Sequence, residues 1–151
     1  MRSLLTLMLV LSVGCGETVT TTYATYVDAE QAGAVARGWI PAFVPRTATE
    51  IREAHDLDTN QQWLRFRVPP GDTAVAVGGM LIPLTAVRGE AAPPPSGVGP
   101  WLPELRAPPL VTSRSGIRVY RHARGGFGAA CVALDTRENL AYAWSCEPGT
   151  A

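Results

Sequence analysis

The first fifteen residues constrain this chain most, because they determine which part of it folds and in which compartment. Arg2 is followed by an apolar run, Leu4–Val13, and then by Gly14 and Cys15. A charged start, an apolar segment and a small residue before a cleavage point are the three parts of a secretory signal. The run is too short to cross a bilayer, which needs roughly 20 apolar residues. The sequence therefore predicts an exported chain whose leader is residues 1–14.

The cysteine directly after the small residue indicates lipidation. Residues 11–15 resemble the lipobox of bacterial lipoproteins, although Ser12 stands where leucine is usual and Leu11 comes one position early. The resemblance implies a diacylglyceryl group and an N-acyl chain on Cys15, and two or more acyl chains give stable membrane anchoring. Gly16, the residue after this cysteine, is not acidic. In lipoproteins of Gram-negative bacteria, the resemblance associates such a residue with sorting to the outer membrane, on the side that faces the periplasm. The alternative is a plain secretory signal with an incidental cysteine.

Length and charge narrow the function classes. Removing 14 residues from 151 leaves 137, which is the size of one domain with a substantial core. Loss of Arg2 leaves 12 basic residues against 13 acidic ones, from an initial 13 and 13. A nucleic-acid-binding protein normally carries a strongly basic surface. We therefore expect a single domain over residues 23–151, no nucleic-acid partner and no cofactor.

The two remaining cysteines predict a disulfide. In an oxidising exported compartment, Cys131 and Cys146 are first interpreted as a bonded pair. A closed loop of about sixteen residues contributes roughly 3 kcal/mol in the chain-entropy model. Both residues fall on predicted strands joined by a short turn, and their pairing would place Ala133 opposite Trp144. A reactive thiol is the alternative.

The N-terminal part predicts a tether, a strand and a helix. Residues 15–22 are polar and threonine-rich, which is typical of a flexible tether. Residues 23–27 have the composition of a short strand. Asp28 with Gln31 three residues later forms a capping-box pattern, and Gly38 has the position of a residue that ends the helix.

The next part predicts a second helix and a second strand. The apolar residues 39–45 contain two prolines and predict an extended segment that crosses the core. Thr47 and Glu50 form another capping box, with Ala48, Ile51 and Ala54 on the inward face of a short helix. Residues 55–60 predict a turn, and residues 63–68 alternate as a half-buried strand does.

The C-terminal half predicts a loop followed by a meander. Asp72 is a candidate cap for a third helix that runs to about Ile82. Residues 90–109 are rich in proline, which favours a surface loop or a linker that Trp101 and Leu102 anchor. Three strands follow, at 116–122, 128–134 and 140–146. The predicted fold class is thus α+β: an antiparallel sheet with a C-terminal meander and two or three short helices.

The acidic turn at 55–60 is the main candidate for chemistry. Asp56, Asp58 and Asn60 match the first positions of an EF-hand loop, but Gln61 replaces the required glycine and Arg67 the bidentate glutamate. The better interpretation is a turn whose side chains accept hydrogen bonds from their own backbone. No metal site is therefore expected, and an irregular cation site is the alternative.

His55 with Asp56 forms a candidate base and its orienting carboxylate, whereas a histidine that closes a helix C-terminus is the commoner case. No nucleophile elbow is present. We therefore predict a non-enzymatic binding or structural module without catalytic residues. Because polar loops on rigid scaffolds commonly carry function, its candidate surface is His55, Asp56, Asp58, Asn60 and Trp63. The alternatives are a small hydrolase or metal-dependent enzyme that uses His55, Asp56 and Asp58, and an inhibitor or accessory subunit of an envelope enzyme.

Several segments resemble one family. They are residues 23–26, 38–41, 51–60, 63–66 and 142–146. These segments resemble small exported bacterial proteins, often lipoproteins, that carry a YbbD-head-like domain. The resemblance implies an envelope location and a small α+β fold. It implies no established activity. Besides the membrane, the partner that we expect is an unknown protein or small molecule.

Overall fold

A computed structural model describes residues 18–70, 81–84, 86–87, 94–106, 110–111, 116–122 and 130–146. The first half contains β1 (Thr18–Thr25), α1 (Tyr26–Gln31), β2 (Thr49–Asp56) and β3 (Gln62–Arg67). The second half contains β4 (Leu81–Leu84), β5 (Ala86–Val87), β6 (Leu110–Val111), β7 (Ile117–His122), β8 (Ala130–Asp135) and β9 (Leu140–Ser145). Two 3-10 helices, Ser96–Val98 and Pro103–Arg106, lie in the proline-rich segment. The predicted leader and Cys15 lie outside the described residues.

Among the described residues, one antiparallel sheet of seven strands organises the fold. Its order is β1-β2-β3-β9-β8-β7-β4, and β5 pairs with β6 separately. The predicted antiparallel sheet and the adjacent strands of the C-terminal meander are confirmed. The sheet is nevertheless not specifically C-terminal, because β3 pairs with β9 and joins both halves of the chain.

The side of the sheet covered by residues 26–48 is here called the helix face. Ile51, Leu64 and Phe66 project from this face and are almost completely buried. Residues from α1 and the turns after it pack on them: Tyr26, Ala29, Ala34, Ile40, Phe43, Val44 and Ala48. The alternation predicted for β3 is confirmed, because Leu64 and Phe66 face this core while Trp63 faces the other side.

The side covered by residues 94–106 is here called the proline face. Trp101 and Leu102 are buried there, as predicted for the anchors of this segment. The Trp101 ring meets Tyr142 edge-on at 5.2 Å and Trp144 at 6.3 Å between ring centroids. Aromatic pairs favour this edge-to-face arrangement. The proline-rich segment therefore serves as the cover of a second core.

The prediction of a flexible tether through residue 22 is wrong for its second part. Residues 18–22 form the first half of β1, where Thr20 pairs with Ala54 and Thr22 with Arg52. Threonine is polar, but its branched Cβ suits a strand that is half exposed at a sheet edge.

The first helix begins three residues earlier than predicted. Thr25 is its N-cap, and its hydroxyl accepts the N–H of Asp28, whose carboxylate accepts the Thr25 N–H at 2.9 Å. Asp28 is thus the third residue of a capping box, whereas it was predicted to be the cap. Gly33, at φ +75°, ends the helix before Gly38: its N–H donates to Glu30 and that of Ala34 to Ala29. These two bonds form a Schellman motif.

The predicted second helix is wrong. Thr49–Asp56 is β2, which pairs with β1 on one side and β3 on the other. The Thr47–Glu50 capping pattern led to the wrong element because pairing with strands on both sides outweighs a weak local preference. Glu50 has φ +50°, and the register with β3 shifts between Thr49 and Arg52.

Two further predictions need correction. Residues 39–45 do not run extended; the N–H of Val44 donates to Pro41 at 3.0 Å and closes a turn. Leu81 and Ile82 lie in β4, whereas they were predicted to end a third helix; the rest of that predicted helix lies outside the described residues.

A disulfide joins Cys131 to Cys146, with 5.7 Å between their Cα atoms. The register predicted from it is wrong. Cys131 lies opposite Trp144, and Ala133 lies opposite Tyr142. The bond therefore runs diagonally, from β8 to the residue directly after β9.

Candidate functional site

The polar residues singled out in the sequence gather at one end of the sheet. Thr18 at the start of β1 pairs with Asp56 at the end of β2, and His55 pairs with Gln62 at the start of β3. The Gln62 N–H donates to the hydroxyl of Ser145, which ends β9. We call this the Thr18 end.

Asp56 organises the turn that joins β2 to β3. Its Oδ1 accepts the N–H groups of Asp58 at 3.0 Å and Thr59 at 2.8 Å. Its Oδ2 accepts the hydroxyl of Thr18 at 3.2 Å, and its own N–H donates to Gln61 at 2.9 Å. The bonds from Thr59, first among these contacts, lower the pKa of Asp56. Both carboxylate oxygens are thus engaged within the protein, as the turn interpretation predicts.

The side chain of His55 projects from the side of β2 opposite to that of Asp56, on the helix face, where Trp39 covers it. Its side chain is 5 % exposed, and its Nδ1 lies 2.6 Å from Oε1 of the fully buried Glu53. The Trp39 ring stacks on the imidazole at 4.3 Å with 24° between the planes. The Arg37 guanidinium lies 4.1 Å above the Trp39 ring. Arg37, Trp39, His55 and Glu53 therefore form one stack that leads from the surface into the core.

Glu53 is the innermost member of this stack. Its Oε2 has no hydrogen-bond partner among the described residues. Burial raises its pKa, against the opposing effects of the His55 hydrogen bond and the charges of His55 and Arg37. A carboxylate that is buried with one bonded oxygen is costly in its charged form. Glu53 therefore binds its proton more tightly in the folded protein than a glutamate does in water.

The residues of the predicted functional surface do not converge. His55 and Asp56 are consecutive in a strand, so their side chains leave opposite faces. Trp63 is buried on the proline face, and the exposed turn holds Asp58 and Asn60. The expected role of His55 in closing a helix C-terminus is therefore wrong, because His55 lies in β2, and so is the alternative in which Asp56 orients it.

Metal chemistry also lacks a ligand set in the part of the chain that the structure describes. That part contains no group of three or more His, Cys, Asp or Glu side chains arranged to hold a metal ion. Asn60, the third residue of the EF-hand-like pattern, has φ +56°, a left-handed conformation that asparagine tolerates in turns.

Sequence reasoning missed Glu53, Trp39 and Arg37. The helical interpretation of residues 47–54 separated Glu53 from His55, since residues two apart do not share a helix face. In a strand, residues two apart share a face, so a strand interpretation would have paired the two. Nothing local in the sequence indicated that Trp39 would stack on His55.

Comparison with protein families bears on this region. Residues 17–67 match the family model of the YbbD head domain. The resemblance predicted from the sequence is thereby shown for this part of the chain. The YbbD head segment comprises β1, α1, β2 and β3, and hence the Arg37–Glu53 stack and the Asp56 turn. No curated protein and no solved structure matches the chain. Among the described residues, no helix has the length and apolar character required to span a bilayer.

Proposed function

We propose that this protein is a bacterial envelope lipoprotein whose YbbD head segment serves as a non-enzymatic binding or structural module. The observation that carries the non-enzymatic part is the separation of His55 from Asp56. A general base and its orienting carboxylate must be within hydrogen-bond reach of each other. Here Asp56 is committed to its own turn, and His55 is committed to Glu53 and Trp39.

The buried position of His55 supports the same conclusion. A catalytic histidine has to reach a substrate, yet this imidazole is covered by Trp39 and almost inaccessible. The Glu53–His55 pair is better suited to a structural role, because it links the sheet to the Trp39 segment. Residues 57–60 of the turn, in contrast, are exposed at the Thr18 end.

The N-terminal signal-like sequence supports the proposed location in the cell envelope. The charged, apolar and small segments before Cys15 are those of an exported lipoprotein. A disulfide between Cys131 and Cys146 is typical of proteins that fold in an oxidising compartment. Acyl groups on Cys15 would hold the domain at the membrane, with the outer membrane, facing the periplasm, as the proposed location. An unknown protein or small molecule would be its partner, including an envelope enzyme that it assists or inhibits.

The mass of the mature N-terminus tests the proposed cleavage before Cys15 and its acylation. The full chain is expressed in a Gram-negative host, and the membrane-associated protein is analysed by mass spectrometry. We expect a chain that begins at Cys15 and carries acyl groups, and accumulation of the unprocessed form when globomycin blocks the lipoprotein signal peptidase. A Cys15→Ala variant with the same leader is the matched control and should carry no lipid. A soluble, unacylated mature chain would contradict the proposal.

The rival metal-dependent enzyme is tested separately by thermal shift. We expect no stabilisation by millimolar calcium or zinc, because Asp56 already accepts bonds from the backbone and from Thr18. A rise in melting temperature that Asp58→Asn removes would instead support a cation site in the turn. Asp28→Asn, which changes a carboxylate remote from the turn, controls for general charge effects.

A further inference from the structure

We infer that the turn between β2 and β3, residues 57–61, lies on the surface of the membrane, with Leu57 inserted among zwitterionic phospholipids. This inference rests on the proposed lipid at Cys15 and specifies which surface of the domain that lipid brings to the bilayer.

The length of chain between the lipid and the fold carries the first step. β1 begins at Thr18, only three residues after Cys15. A fully extended chain spans at most ~3.6 Å per residue, so Thr18 lies within roughly 11 Å of the acylated residue in any conformation. A lipidated Cys15 sits at the bilayer surface. The domain therefore cannot stand away from the membrane, as a longer tether would have allowed.

The register of β1 with β2 carries the second step. Thr18 lies directly opposite Asp56, and its hydroxyl donates to the Asp56 carboxylate at 3.2 Å. The turn starts at the next residue and continues beyond the last pair of this ladder. It thus projects from the same end of the sheet at which the chain departs toward Cys15.

Leu57 gives this turn an apolar contact. Its relative exposure is 61 %, and the only other exposed large apolar side chain in the described residues is Val27, at 49 %. Burial of apolar surface in the interfacial region favours membrane contact. Val27 lies in α1, which follows the other end of β1. At ~3.3 Å per strand residue, that end, Thr25, is about 23 Å from Thr18. Val27 is therefore a matched apolar residue remote from the proposed contact.

The charges of the turn select the kind of lipid. Leu57 is flanked by Asp56 and Asp58, and the lowered pKa of Asp56 keeps its carboxylate ionised. Anionic headgroups would repel these groups within a Debye length of the surface. A zwitterionic headgroup such as phosphatidylethanolamine carries an ammonium that the carboxylates can approach. The chemistry thus favours a zwitterionic over an anionic surface.

Quenching by brominated phospholipids tests the contact. The full chain and its Leu57→Trp and Val27→Trp variants are purified from host membranes, and N-terminal acylation is verified by mass on the same samples. Each is reconstituted in phosphatidylethanolamine–phosphatidylcholine vesicles with brominated acyl chains. The four native tryptophans give a common background. We expect additional loss of fluorescence for Leu57→Trp only, and a smaller additional loss when anionic phospholipid replaces the zwitterionic lipid.

Hydrogen exchange gives a readout without an added tryptophan. In vesicles, amides of residues 57–61 should exchange more slowly than in the Leu57→Ser variant. The turn at 136–139, at the opposite end of the sheet, should be unaffected.

Three outcomes would overturn the inference. Equal quenching of Leu57→Trp and Val27→Trp in acylated protein would reject the contact and leave the proposed function intact. Stronger quenching on anionic vesicles would reject the choice of a zwitterionic lipid. A purified chain without acyl groups would reject both the proposed function and the contact that rests on it.

Discussion

The two faces of the sheet are stabilised by different chemistry. The helix face buries four polar side chains at the Thr18 end, and these are Glu53, His55, Gln62 and His122. Among the described residues, the proline face buries three tryptophans, Tyr142 and the cysteine of the disulfide on β8, together with one carboxyl, Asp135, which pairs with Arg137. Apolar contacts and covalent bonds respond little to protonation, whereas buried ionisable groups couple stability to pH. We therefore expect Glu53 on the helix face and Asp135 on the proline face to give stability opposite dependences on pH.

The proline face should give the largest loss of stability when its aromatic cluster is truncated. Trp101→Ala removes a side chain that is 5 % exposed and contacts two other rings. Such truncations cost about 3–5 kcal/mol. Trp101→Phe is the matched control: it keeps a ring, and the indole N–H that it removes has no partner among the described residues. Urea denaturation should therefore rank the phenylalanine variant well above the alanine variant. Equal losses would show that the ring contacts do not hold this face.

Removal of the disulfide should rank second. The Cys131→Ala/Cys146→Ala protein loses a link that closes a loop of about sixteen residues, worth about 3 kcal/mol in the chain-entropy model. Its melting temperature should fall, and a reductant should lower that of the unaltered protein alone. A melting temperature insensitive to reductant would mean that the proline face depends on its rings alone.

The sequence predicted the C-terminal part of this sheet better than the N-terminal part, and the reason is physical. In β8 and β9, local strand propensity and tertiary pairing favour the same structure, so both strands were located correctly. In residues 47–54, a capping-box pattern favoured a helix, while pairing with β1 and β3 imposed a strand from Thr49 onward. Local preferences of a few tenths of a kcal/mol per residue yield to such long-range pairing.

The candidate site shows the same limit. The Asp56 turn could be predicted because the bonds that Asp56 accepts from Asp58 and Thr59 join residues two or three positions apart. The Glu53–His55 pair required the correct secondary structure, and its Trp39 cover required the fold of residues 32–48. The register of Cys131 also escaped prediction, since a disulfide can join diagonal as well as opposite positions.

Glu53 on the helix face should make stability fall as pH rises through its titration, whereas His122 on the same face, whose pKa burial lowers below 6.5, should make stability rise with pH in its own range. Burial raises the pKa of this carboxyl above its ordinary 4.5, so the folded state binds more protons than the unfolded state. The stabilisation that Glu53 contributes is complete below pH 4.5 and is lost as pH rises through the pKa of Glu53 in the folded state. Glu53→Gln keeps the shape without the charge and should reduce this slope. Urea unfolding across this range measures the slope, and Glu50→Gln, which removes an exposed carboxylate of the same strand that pairs with Arg67, is the control. Equal slopes for all three proteins would remove the contrast between the faces.

The smallest effect is expected at the exposed turn, with the opposite sign. Hydrogen bonds, of which those from Thr59 have the largest effect, lower the pKa of Asp56 below its ordinary 3.8. The stabilisation that Asp56 contributes is therefore present above pH 3.8 and is lost as pH falls through the pKa of Asp56 in the folded state. Asp56→Asn keeps one oxygen for the turn and removes the charge, and should weaken acid sensitivity slightly. Because the group is exposed, added salt should reduce the difference. Thermal melts at acidic pH measure it, with Asp58→Asn as the control in the same turn. An acid response that persists unchanged in Asp56→Asn would assign the acid sensitivity to other carboxylates, of which Asp135 beside Arg137 also has a lowered pKa.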